Sequence, residues 1–80
     1  NNDEDYFIKI EILLRAGEIE KAQGIASQCI KRNEKNATAY RIMGIIQAQL
    51  GNKAEAEKNF KKAAECGDQS ALELIPTLSK

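Results

Sequence analysis

Residues 37–70 read ATAYRIMGIIQAQLGNKAEAEKNFKKAAECGDQS, and their spacing decides the fold. The same punctuation stands 34 residues earlier, between Asp3 and Asn36. Tyr6 answers Tyr40, Gly17 answers Gly51, and Ala22 answers Ala56 at that one offset. A fixed period of this size marks a stack of helical units, each burying a face against the next.

Within the quoted stretch, a helix is expected from about Ala37 to Leu50, stopped by Gly51-Asn52. Tyr40, Met43, Gly44 and Gln47 share one side of it; Arg41, Ile45, Ala48 and Gln49 share another. A second helix is expected from about Lys53 to Cys66. Ala56, Phe60, Ala63 and Ala64 face inward, Lys58, Lys61 and Lys62 face water, and Gly67 closes it. Glu57 and Lys61 form an attractive i, i+4 pair on its surface. Asp68 or Ser70 can cap the next helix. Ala71 to Lys80 begins as a fifth, short helix. Pro76 lacks an amide hydrogen and clashes with the preceding turn, so one or two turns covering the fourth helix, then a loose tail, are expected.

Toward the N-terminus, Asn1 and Asn2 are expected to fray. Asp3, Glu4 and Asp5 place acids where a helix N-terminus favours them. Apolar residues at Tyr6, Ile10, Leu13 and Leu14 give helical spacing, and Gly17 ends the element. A helix from about Ile19 to Arg32 should bury Ala22, Ile25, Ala26, Cys29 and Ile30. These side chains are mostly small and let helix axes approach. Gly24 costs about 1 kcal/mol relative to alanine in a helix, and the expectation is that it makes room for a large neighbour. Asn33 to Asn36 is polar and turn-like.

Composition bounds the rest. Eighty residues allow one small domain over residues 1–80, and such a chain buries only about 60–65% of its unfolded surface. Hydrophobic residues at 42% and charged residues at 30% suit a folded soluble chain. Twelve basic residues balance twelve acidic ones, which argues against nucleic acid as a partner. The balance is locally uneven. Residues 3–20 hold six acids against two bases, and Lys31, Arg32, Lys35 and Arg41 come next with only Glu34 among them. Two solvated helix faces account for this pattern.

Cys29 and Cys66 have no CxxC partner, and no histidine completes a zinc set, so no metal and no cofactor are expected. Two buried free thiols in a reducing, cytoplasmic compartment are the expectation. No signal peptide or membrane span is read, since Lys9 and Glu11 interrupt the apolar run Ile8 to Leu14. The chain opens at Asn1 rather than methionine, and a longer parent protein is expected.

The period and its residues resemble the tetratricopeptide repeat (TPR). In the second unit, Tyr40 stands at the family's early aromatic, Met43-Gly44 at its Leu-Gly pair and Gly51-Asn52 at its turn. Ala56, Phe60 and Ala63 stand at its packing alanine, second aromatic and following alanine. Asp68 replaces a frequent proline, and Gln47 a usual tyrosine, which weakens that contact. The first unit departs further. Tyr6, Gly17, Ala22 and Cys29 fit, but Lys9-Ile10 replaces Leu-Gly and Ala26 replaces the large aromatic. A volume exchange is expected, with Ile10 large and Gly24 and Ala26 small across from it. A degenerate unit at a chain end also suits a cap. AAECGDQSALELI is similar to the longer Sel-like repeats, but the step from Gly51 to Ala56 is too short for their extended loop.

The resemblance implies an all-α fold of tandem antiparallel helical hairpins, a fragment of a right-handed α-solenoid. It has repeat one at 3–36, repeat two at 37–70 and a capping segment at 71–80. It further implies a protein–protein interaction module, a scaffold holding a peptide or helix of a partner in a concave groove lined by the first helix of each hairpin. The groove residues would be Glu4, Phe7, Glu11, Leu14 and Arg15, then Thr38, Arg41, Ile45, Ala48 and Gln49. Phe7, Leu14 and Ile45 are not needed for the hairpin cores and would be exposed together as a hydrophobic strip. At the positions where some relatives clamp a chaperone's C-terminal carboxylate, Phe7, Glu11 and Ile42 offer no donor, so that activity is not expected. An enzyme is not expected either. There is no histidine, no nucleophile beside a base and no glycine-rich phosphate loop. The rival expectation is self-association into a homo-oligomer, because two units fall short of the three that usually stabilise an array.

Overall fold

The computed structural model describes residues 2–79, with side chains from Glu4 to Leu78. Lys80, Asn1 and the side chain of Asp3, for which the sequence carried expectations, lie outside these. Among the described residues there are four α-helices and no strand: α1 Asn2–Arg15, α2 Ile19–Arg32, α3 Ala37–Gln49 and α4 Lys53–Glu65. Asn2 opens α1 rather than fraying ahead of it. The fold is all-α, built as two helical hairpins, α1/α2 and α3/α4, joined by packing of α2 on α3.

The hairpin turns depend on glycine. Gly17 and Gly51 adopt φ of 82° and 86°, a region that costs a side chain roughly 1–2 kcal/mol. In the first turn the amide of Gly17 donates to Leu14 O (3.1 Å) and that of Glu18 to Leu13 O (2.8 Å). In the second, Gly51 donates to Ala48 O (3.1 Å) and Asn52 to Gln47 O (2.9 Å). Each pair satisfies the last carbonyls of a helix and reverses the chain. The link between hairpins is different. Asn33 is extended, and Asn36 caps α3 by accepting from the Ala39 amide at 3.2 Å.

Two apolar clusters form the interior. The first joins Ile10, Ala22 and Ala26 to Met43 and Ile46 of α3. The second gathers Phe60, Ala56, Ala63 and Ala71, with Tyr40, Ile45 and Ala48 of α3 packed on it. Gly44 admits the Phe60 ring. A Cβ at residue 44 would stand 2.5 Å from Cε1 and 2.6 Å from Cδ1 of that ring. Ile10 shares a buried cluster with Ala22 and Ala26 of α2, in keeping with the volume exchange, but Gly24 takes no part. It is exposed, and a Cβ there would meet nothing within 4 Å. The reason is angular: residues two apart on a helix do not share a face, so Gly24 points away from the side holding Ala22 and Ala26.

Two further expectations are corrected, and the surroundings of Gln47 are defined. Gln47 is buried. Its amide oxygen accepts from Asn52 Nδ2 at 2.9 Å, and its amide nitrogen donates to Met43 Sδ at 3.6 Å. Of the two thiols, only Cys29 is buried; Cys66 is half-buried at the end of α4. The expected short C-terminal helix is a 3₁₀ helix, Gln69–Leu74, and a second 3₁₀ helix, Pro76–Ser79, stands where a loose tail was expected. Pro76 opens the second of them, where no intrahelical amide bond is demanded of it. As expected, the segment covers α4: Ala71 is fully buried, and Leu74, Ile75 and Leu78 pack around Phe60, Ala56 and Ala63.

Candidate functional site

A groove of about 510 Å³ runs between α1 and α3. Phe7, Ile10, Glu11 and Leu14 line it from α1, and Thr38, Arg41, Ile42 and Ile45 from α3. These positions recur every three or four residues along each helix, so each presents one face to the same space. Six of the residues expected from the sequence meet here: Phe7, Glu11, Leu14, Thr38, Arg41 and Ile45. Arg15, Ala48, Gln49 and Glu4 are outside the lining. Arg15 is exposed and pairs with Glu11 at 3.0 Å; Ala48 packs on the second cluster; Gln49 and Glu4 face solvent.

The apolar strip is also less free than the sequence suggested. Phe7, Leu14 and Ile45 are half-buried, not exposed. The first two pack on the first cluster and Ile45 on the second. Their inner sides belong to the core, and their outer sides belong to the groove. Ile10 and Ile42 complete the floor. Ile10 was assigned to the core and Ile42 was named only at a carboxylate-clamp position that it cannot serve, yet both obey the i, i+3, i+4 pattern that selects their neighbours.

Arg41 gives the groove its fixed charge. Its Nε donates to Asp68 Oδ2 at 2.8 Å, tying α3 to the segment after α4. Ser70 Oγ donates to the other Asp68 oxygen. That hydroxyl, backed by the charge and hydrogen bond of Arg41, holds the Asp68 carboxyl below the usual aspartate range against the opposing push of burial. Sequence reading assigned Arg41 to the groove and Asp68 to a possible helix cap. Their pairing spans 27 residues and carries no local signal.

A second concavity, about 500 Å³, is lined by Tyr40, Lys58, Asn59, Lys61, Lys62 and Glu65. Volume does not separate the two, but chemistry does. The lysines of this one are solvated, and Lys61 pairs with Glu57 at 2.9 Å, as the sequence led one to expect. Among the described residues, no group of three or more histidine, cysteine, aspartate or glutamate side chains is placed to hold a metal ion. No helix there is long and apolar enough to cross a membrane. Comparison with protein-family models, curated proteins and solved structures finds no match to the chain.

Proposed function

We propose that the chain is a TPR-like protein-interaction module that holds an amphipathic helix or apolar peptide segment of a partner protein between α1 and α3, as part of a larger scaffold. The observation that carries this is the groove itself: five apolar side chains and three polar ones line one continuous space on the hairpins' first helices. A mostly apolar cleft with a few placed polar groups is the chemistry of a peptide seat. The 34-residue spacing and the matched glycine turns support the TPR assignment. The even charge balance argues against nucleic acid, and two cysteines outside any disulfide suit a reducing, cytoplasmic setting. No catalytic role is proposed.

The test is capture from an extract of the source cell with the wild-type chain and with a Leu14→Glu, Ile45→Glu double variant. Proteins held by the first and lost by the second, with helicity unchanged by circular dichroism, support the groove. Capture that survives both substitutions overturns it.

A second reading, self-association, draws on Ile8 and Ile12. They stand one turn apart on α1 and remain 55% and 60% exposed. A stable interface takes about 800 Å² from each partner, and two isoleucines supply a small part of that. Sedimentation at micromolar and millimolar concentration decides it: a monomer at both removes this reading.

A further inference from the structure

We propose that the groove selects a segment carrying an acidic side chain within an apolar face, and that Arg41 is the residue that reads it. This rests on the groove being a docking surface. Arg41 spends only its Nε on Asp68, and its two Nη groups have no acceptor among the described residues. The side chain keeps 37% of its surface exposed, against 20% for Asp68. The tie therefore leaves the Nη edge of the guanidinium unspent on a side chain that lines the groove. That edge presents parallel N–H donors, the geometry that suits a carboxylate. Because Asp68 already orders the side chain, a ligand carboxylate meets a donor pair whose rotamer freedom is mostly lost beforehand.

The surroundings narrow the ligand. Glu11 on the opposite wall repels a carboxylate, though its pairing with Arg15 softens this, so an acid is directed to the α3 side. Arg41 stands midway along the lined face of α3, between Thr38 and Ile45, a span of about 10 Å or two helical turns. Apolar side chains share the space with it, Phe7 and Leu14 from α1 and Ile42 and Ile45 from α3. A carboxylate set among apolar side chains is supplied by a glutamate or aspartate within an otherwise apolar segment, the ligand proposed here.

The experiment selects a display library of random dodecamers on the whole chain. The best peptide and its Glu→Gln (or Asp→Asn) form are then titrated by fluorescence anisotropy. Wild type should enrich apolar peptides with one acid, and the amide form should bind roughly tenfold to a hundredfold more weakly. On Arg41→Gln that difference should fall below about twofold, because the charged hydrogen bonds that produce it are gone. Arg41→Lys keeps the charge and the fold without the fork, and should retain only part of it. If no acid is enriched, or the acid-to-amide loss persists on Arg41→Gln, the role of Arg41 is overturned while the groove stands. If the Leu14→Glu, Ile45→Glu variant enriches the same peptides, or nothing is enriched by wild type, the groove itself falls and this inference with it.

Discussion

The two hairpins solve one packing problem in opposite ways. In α3/α4 the first helix gives way at Gly44 and the second fills the space with Phe60. In α1/α2 the residues 34 positions earlier are Ile10 and Ala26. There the first helix supplies the bulk and the second is cut back. Both arrangements bury the large side chain almost completely, at 1% exposure for Ile10 and 2% for Phe60. The lesson is that the hairpin frame asks for a total volume at the crossing and leaves open which helix provides it.

The most severe test removes the bulk from the second hairpin. Phe60→Ala should cost about 3–5 kcal/mol in urea or thermal unfolding, a large share of the stability of a domain this small. Adding Gly44→Ile to it imports the solution of the first hairpin and should recover part of the loss. A double variant less stable than Phe60→Ala alone would break the equivalence of the hairpins.

Gly44→Ala should cost about 1–2 kcal/mol, since the ring must move and alanine's helix propensity returns less than that. In a Phe60→Ala background the sign should reverse, with a gain of up to about 1 kcal/mol. Chemical denaturation of the four chains reads this directly, and an additive pair would show that residues 44 and 60 do not share a space. Gly24→Ala sharpens the first hairpin's side of the comparison. With nothing near its Cβ, it should stabilise by about 0.5–1 kcal/mol. Destabilisation instead would return Gly24 to the packing role that the structure denies it.

The smallest effect belongs to the ion pair, which only the second hairpin has; residues 34 before Arg41 and Asp68 are Phe7 and Glu34. The Asp68 carboxyl titrates lower folded than unfolded, so its ionised form favours the native chain. That contribution is present above its unfolded pKa, near 3.9, and is lost as pH falls through the lower folded value. Asp68→Asn should flatten the acid limb of the stability curve there and leave the pH dependence elsewhere as it was. Unchanged acid sensitivity would place the relevant carboxylate at another residue.

What the sequence disclosed was local. Gly17, Gly51 and the alanine spacing specify turns and close helix contacts through neighbouring atoms, and they located every α-helix to within a residue or two at most ends. The groove was partly legible through the resemblance, which assigned Phe7, Glu11, Leu14, Thr38, Arg41 and Ile45 to one face, and these six line one space. It did not set the groove's ends, so Arg15, Ala48 and Gln49 were included and Ile10 and Ile42 were not. What escaped depends on distant partners or on fine angle. The Arg41–Asp68 tie spans 27 residues, and Gly24 differs from its neighbours only by where it points. Gln47 was read only as a substitute for a usual tyrosine, and its hydrogen bond to Asn52, across the turn, went unread.

The position of α3 in the core reaches into the dynamics. It is the helix that contributes to both clusters: Met43 and Ile46 to one, Tyr40, Ile45 and Ala48 to the other. Either flank can loosen while the other still holds it. α1 and the 3₁₀ segment border one cluster each, so they can open in partial steps that leave the rest folded. In deuterated water the amides of α3 should therefore exchange last, at the rate of whole-chain opening, with protection decaying outward toward both ends.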